Sequence, residues 1–296
     1  MSVFLIVTAG VLWGCIGMFV RPLSALGLSS MEIVMLRAMV TAASMGIYLL
    51  LRQPDALRIR VRDLWCFIGT GICSILFFNY CYFSCISLTS LSVAAILLYT
   101  APAMVMVLSF FLFGEKITGI RILALVMTFA GCVLVTGFGG SGTALHAEGI
   151  LAGLGSGLGY ALYSIFSRYA LERGYTSLTI TFYTFLTAGI GTLVLIRPGH
   201  LFAAVGSDIS MLLFSVLFGI TCTVLPYLAY TKGLQKIDNG MASILASIEP
   251  VTAALLGFVF FQERMTMTAA LGTFLVIAAM VLCGAAQKVG KSKISK

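Results

Sequence analysis

The chain has 296 residues, 60% of them hydrophobic and only 9% charged, with a mean hydropathy of +1.09. Soluble domains carry about 25% charged residues, so a soluble globular protein is excluded. The net charge of +8 does not signal nucleic acid as a partner: the basic residues sit in short loops between apolar runs, the pattern that orients a protein in a lipid bilayer.

A spanning helix takes roughly 17–25 mostly apolar residues. In chain order, ten such spans are predicted at 3–20, 32–51, 64–83, 90–113, 120–136, 149–169, 177–196, 210–230, 240–261 and 268–286. The first begins without the basic n-region of a cleaved signal peptide and is read as a retained helix. With the N-terminus inside, fourteen Lys and Arg fall on the cytoplasmic side. Three, Arg21, Arg197 and Arg264, fall outside, and Arg37 lies within the second span. This asymmetry predicts cytoplasmic termini in a multi-pass protein of the inner (plasma) membrane. The eight cysteines lie in or beside the spans and form no C-x-x-C pair. Cys81 and Cys85 share a helix face, but zinc needs further ligands. They read as buried apolar thiols, and neither a metal nor a cofactor is expected.

The second half repeats the first. A shift of 148 positions pairs Tyr82 with Tyr230, Ala94 with Ala242, Ile96 with Ile244 and Leu97 with Leu245. The same shift pairs Pro102 with Pro250, Phe113 with Phe261, Glu115 with Glu263 and Thr118 with Thr266. Near the start of each half a shift of 147 pairs Gly10 with Gly157, Trp13 with Tyr160 and Arg21 with Arg168. The predicted organisation is a first repeat over 3–136, a Gly/Ser-rich linker over 137–148, a second repeat over 149–286 and a basic tail over 287–296. Each repeat has five spans, and an odd number inserts the second half upside down. The fold class is thus an all-α integral membrane protein of ten transmembrane helices, two inverted five-helix repeats around a central cavity. Inverted repeats are a recurring plan of secondary transporters, with the substrate site near the midplane.

Several residues bring a specific family into view. They are Trp13-Gly14 in the first span, Arg37 in the second, and Ala101-Pro102 followed by Gly114-Glu115-Lys116. In the second half they are Glu249-Pro250 followed by Gln262-Glu263-Arg264-Met265-Thr266. Over nearly its whole length the chain resembles the EamA family of the drug/metabolite transporter (DMT) superfamily. The resemblance implies a central cavity lined by spans 1, 3, 4, 6, 8 and 9, and export or exchange of small metabolites.

Among candidate binding residues Glu249 is the sharpest. It lies eleven residues beyond Asp238, about 16 Å along a helix and so near the middle of a core about 30 Å thick. A carboxylate there is costly unless it is paired, wetted or protonated. It reads as a proton site or as the partner of a cationic substrate group, against a purely helix-pairing acid. Its counterpart in the first repeat is Ala101. Pro102 and Pro250 each remove a mid-span donor and read as hinges or cavity wall, against static kinks. Arg37 reads as an ion-pair partner for Glu249 or as an anchor that snorkels to the outer headgroups. Trp13, Asn79, Tyr80, Tyr82, Tyr99, Tyr160, Tyr163, Tyr227 and Tyr230 form a polar-aromatic set suited to an amphipathic organic solute, against simple packing and interfacial belts. Asn79 would need a partner that a ligand could supply.

Other features read more plainly. Glu115 and Glu263, each followed by a base, are expected to anchor helix ends and pair locally, and His146 and His200 to be solvated. The run 137–142 matches G-x-G-x-x-G, but it follows a membrane helix rather than a strand and carries no dinucleotide role. Gly153, Gly155, Gly157 and Gly159 permit close helix contact, within a protomer in preference to between two; a monomer or a homodimer fits either. No G-x-x-x-x-G-K-[ST] loop is present, and the two histidines lie in different halves with no acidic cluster, which disfavours a membrane-embedded lipid-modifying enzyme. The expected function is secondary transport of small organic metabolites, amino acids or amphipathic aromatic compounds among them, by alternating access, as an exporter. Proton coupling through Glu249 and uncoupled facilitation are the competing forms.

Overall fold

A computed structural model describes residues 1–137, 146–206, 208–262 and 266–294; the side chains of 286–294 fall outside that description. Among the described residues, nine helices are long and apolar enough to cross a membrane. They are α1 (Ser2–Ala25), α2 (Ser30–Arg52), α3 (Val61–Leu88), α4 (Leu91–Phe113), α5 (Gly119–Thr136), α6 (Ala147–Glu172), α8 (Ile209–Leu234), α9 (Asn239–Phe261) and α10, whose apolar part is Met267–Ala285. The helix of α10 continues to Ile294, through the segment expected to be a tail. The remaining expected span forms α7 (Ser177–Thr192), of 16 residues. This is a correction to the predicted end at 196. Sixteen residues rise about 24 Å, short of the hydrocarbon thickness. The Thr192 hydroxyl bonds back to Ala188 O at 2.7 Å, Leu195 N closes a turn onto Thr192 O, and Pro198 opens a short connecting helix, Pro198–Gly206.

Helix starts are set by side-chain caps. Ser29 and Glu32 form a reciprocal capping box on α2, while Ser90, Thr118 and Thr176 accept first-turn amides of α4, α5 and α7. Each cap satisfies donors that the helix itself cannot. Exposed Phe110, Phe111, Val126, Phe260 and Phe274 turn large apolar surface outward, which suits lipid rather than water.

Four of the long helices are irregular in two matched pairs, and α1 is interrupted once, at Cys15. α4 breaks after Leu98 and restarts at Ala101; α9 breaks after Ala246 and restarts at Ile248. The halves Leu91–Leu98 and Asn239–Ala246 lie 148 positions apart at both ends. The two helices also end alike, on Gly114 (φ 64°) and Gln262 (φ 55°) in left-handed conformation. α3 widens into π-helical turns over Gly69–Leu76, and α8 does so over Ile220–Val224, both ending at equivalent positions. The breaks lie two or three residues before the prolines rather than at them. Proline has no N–H for the carbonyl four residues back and its ring collides with that carbonyl. The turn before each proline therefore gives way, and the proline sits in the first turn of the new segment, where no donor is needed.

The repeats interlock rather than stack. α1 packs on α8 and α9, α6 on α3 and α4, α2 on α7, and α5 on α10. Two glycines from the 147-residue pairing make this possible. A Cβ on Gly10 would lie 2.7 Å from Ala246 O, at the break in α9; one on Gly157 would lie 2.7 Å from Thr100 Oγ1, at the break in α4. Gly153, Gly155 and Gly159 likewise face Leu97, Cys81 and Phe78 of the same chain, so the glycine stripe is used within the protomer. Of the cysteines, Cys73 is exposed and Cys15 half-buried, a correction to the uniformly buried set; the other six are buried.

Candidate functional site

The two widened helices, α3 and α8, meet α6 around Trp13. Its indole, 6% exposed, contacts Tyr227 at 5.1 Å, Tyr230 at 5.3 Å and Tyr160 at 6.2 Å between ring centroids. These rings, with Tyr163, Ser164, Ser74, Ile75 and Phe78, line a cavity drawn from α1, α3, α6 and α8. The cavity has room for about one water, so no organic solute fits in this conformation. Two buried donors in its wall, Trp13 Nε1 and Ser74 Oγ, have no hydrogen-bond partner among the described residues. Buried polar groups are usually paired, so this wall has capacity for a polar guest.

A second small cavity opens between the two helix breaks. Leu98, Tyr99, Ala101 and Pro102 of α4 face Ser243, Ala246 and Ser247 of α9 across it. Tyr160 lines both cavities. Its hydroxyl donates to Glu249 Oε2 at 3.2 Å, so this carboxylate sits at the junction, in the first turn after the α9 break. The arrangement offers one negative charge, a phenol that can donate to it, and several aromatic faces. That combination attracts a cationic or amphipathic organic group.

The structure divides the expected set. Trp13, Tyr160, Tyr163, Tyr227 and Tyr230 line the first cavity, and Tyr99 and Pro102 line the second. Tyr163 and Tyr230 have their hydroxyls engaged by Thr231 at 2.8 Å and Ser164 at 2.7 Å. Pro250 is buried in the first turn after the α9 break. Asn79 is turned back on its own helix, donating to Ile75 O at 2.7 Å, and lines neither cavity. Tyr82 packs against Phe78 and Phe83 beside the cavities. Tyr80 is 54% exposed and faces outward.

Arg37 is not paired with Glu249. Its Nε donates to Thr223 Oγ1 at 2.9 Å and its Nη2 to Cys222 O at 3.5 Å. Pro226 has no N–H to offer that carbonyl four residues back, and the guanidinium donates to it. The third reading of this side chain, as a brace between α2 and α8, has no sequence signal because the widened turn has none. Ser74, Phe78, Ser164, Ser243 and Ser247 also line the cavities without having been singled out. Small hydroxyls in an apolar helix at the spacing of the tyrosines were the available clue.

At the helix ends two expectations need correction. Glu115 does not pair with Lys116: its carboxylate accepts the amides of Asn239 at 2.7 Å and Gly240 at 3.1 Å, at the start of α9. Burial raises its pKa, and those two amides oppose the rise. His200 is not merely solvated, since its Nδ1 lies 2.8 Å from Glu32 Oε1. His146, at the start of α6, is exposed. Glu263, Arg264, Met265 and most of the 137–142 glycine run lie outside the described residues.

Comparison with known proteins agrees with this architecture. The EamA-like transporter family matches residues 1–137 and again 147–284. An uncharacterized transporter of Archaeoglobus fulgidus is 32% identical over 204 residues, 68% of this chain and 70% of that one. The uncharacterized transporter YxxF of Bacillus subtilis is 27% identical over 285 residues, 95% of this chain and 88% of that one. The uncharacterized inner membrane transporter YicL of Salmonella typhimurium is 27% identical, over 64% of this chain and 62% of that one. A crystal structure covering 95% of both chains superposes with a TM-score of 0.79 at 22% identity, which speaks to the fold alone. The chain therefore belongs to the EamA-like transporter family, as an integral membrane transporter of small molecules.

Proposed function

We propose that the protein is a secondary transporter that exports small amphipathic organic solutes by alternating access, with Glu249 at the centre of the substrate path. The observation that carries this reading is the position of Glu249. It touches the one tyrosine that lines both cavities, directly after a helix break that has a counterpart in the other half. In this reading the chain makes ten crossings, α7 included, as two inverted repeats over 3–136 and 149–286, joined by 137–148 and with both termini cytoplasmic. Trp13, Tyr99, Tyr160, Tyr163, Tyr227 and Tyr230 hold the apolar body of the solute. Trp13 Nε1 and Ser74 Oγ, unpaired in this closed cavity, meet its polar atoms. Pro102 and Pro250 mark the hinges. Asn79 and Tyr82 shape the wall from behind.

Proton coupling is the favoured form, because a carboxylate at this depth is stable as a neutral acid or with a partner, and alternation between the two couples proton to solute. Uncoupled facilitation is the second form. Purified protein in liposomes, offered amino acids, sugars, nucleosides and aromatic amines with and without a pH gradient, tests both. Selective accumulation that a pH gradient drives, and that Glu249→Gln abolishes in folded protein, supports proton-coupled transport. Selective but undriven equilibration would sink the coupling, and no uptake of any class would sink the reading.

A further inference from the structure

The two halves are closed unequally. Every residue of Asn239–Ala246, the first segment of α9, is buried, whereas in the equivalent Leu91–Leu98 of α4 only Ala94 and Leu98 are. Polar contacts also fix the start of α9. Glu115, from the end of α4, accepts both the Asn239 and the Gly240 amide. These are first-turn donors that the helix cannot satisfy itself, held by a carboxylate in charge-assisted bonds about twice as strong as neutral ones. Asn239 is further fixed by Arg168 Nε on Oδ1 at 3.1 Å and by its own Nδ2 on Ser109 Oγ at 3.2 Å. Arg121 pairs with the preceding Asp238. First-half and second-half groups thus converge on the first turn of a helix whose next two turns, through Ser243 and Ser247, wall the second cavity.

We propose that Glu115 is a gating residue: its carboxylate latches the first turn of α9 and keeps the transport cavity shut at the Lys116–Asp238 end, and release of that cap opens the cavity to that side. The proposal rests on the cavity assignment above but not on any particular solute. A single cysteine at position 243, in protein whose eight native cysteines are replaced, reports the opening. An impermeant maleimide is applied to each face of membrane vesicles of either orientation. With Glu115 intact, Ser243→Cys is protected from the Lys116–Asp238 face. Glu115→Ala should raise the labelling rate from that face about tenfold, the scale of a lost charge-assisted hydrogen bond, and Glu115→Gln by less.

Unchanged labelling from that face in both variants would overturn the proposal. So would an equal rise from both faces, which marks general loosening. If Glu115→Ala proves aggregated by size-exclusion chromatography, the isosteric Glu115→Gln carries the test. Because labelling needs no substrate, a failure to find any transported solute would strike the transport reading while leaving this result to stand.

Discussion

α4 and α9 are the same device built twice, and their differences locate function better than their likeness. Both have an eight-residue first segment, a break, a proline in the restarted turn and a left-handed cap. At the break Tyr99-Thr100-Ala101 of α4 stand against Ser247-Ile248-Glu249 of α9, so α9 alone carries a charge there. Their first segments also diverge in burial, half-open in α4 and closed in α9. The shared geometry supplies a pair of matched helix breaks; the charge and the closure are where the halves differ.

Erasing the chemical difference between α4 and α9 has the largest consequence. Glu249→Gln is expected to lower driven flux about a hundredfold or more, as when one member of a buried charged contact is removed, while Ala101→Ser changes it less than about twofold. Equal losses in proteoliposome uptake would mean that the break, not the charge, matters. Next in size are the two glycines that sit over the breaks. Gly10→Ala should destabilise by about 1–3 kcal/mol, the range of overpacking, because its Cβ meets the main-chain Ala246 O at 2.7 Å as well as Ile248 Cγ2 at 2.6 Å. Gly157→Ala should cost less, because its nearest obstacle is the Thr100 hydroxyl, and Thr100→Ala should relieve it. Thermal unfolding in detergent measures all three, and full relief of Gly10→Ala by Ile248→Ala would contradict the asymmetry, since Ala246 O stays in place.

The prolines give a smaller effect on stability. Since each sits in a first turn where its missing donor is not needed, Pro102→Ala and Pro250→Ala should shift stability by under about 1 kcal/mol yet slow flux severalfold. Loss of fold in either would show that the break depends on proline throughout. The smallest expected effect is at Tyr80, whose outward exposure places Tyr80→Leu within about 0.5 kcal/mol of the parent with unchanged uptake.

Much of this architecture is legible before any coordinates. Apolar run length locates the long helices to within a few residues at most ends, and the shift that aligns Pro102 with Pro250 also aligns the breaks. The aromatic set around Trp13 emerges because tyrosines in apolar spans are few enough to count. What stays hidden depends on backbone irregularity and on contacts between distant segments. The π-helical turns of α3 and α8 leave no residue signature, so the Thr223 and Cys222 partners of Arg37 cannot be foreseen. Hydropathy weighs Tyr80 like Tyr82, one outward and one beside the cavity. Glu115 looks like half of a local pair until α9 is seen to begin beside it, 124 residues later. The short α7 escapes because the chain closes a turn, Leu195 N onto Thr192 O, inside a run that is still apolar.

The interlocking of the halves also constrains how the protein is made. α1 finds its packing partners in α8 and α9, which at roughly 5–20 residues per second emerge from the ribosome some ten to fifty seconds later. During that interval the groove over Gly10 has no native occupant, and the first five helices wait in the bilayer as an unfinished surface. Neither half can therefore serve as a preassembled template for the other. Biogenesis has to hold the early helices apart from wrong neighbours until the late ones arrive, and a chain truncated after α5 is a natural client for membrane quality control.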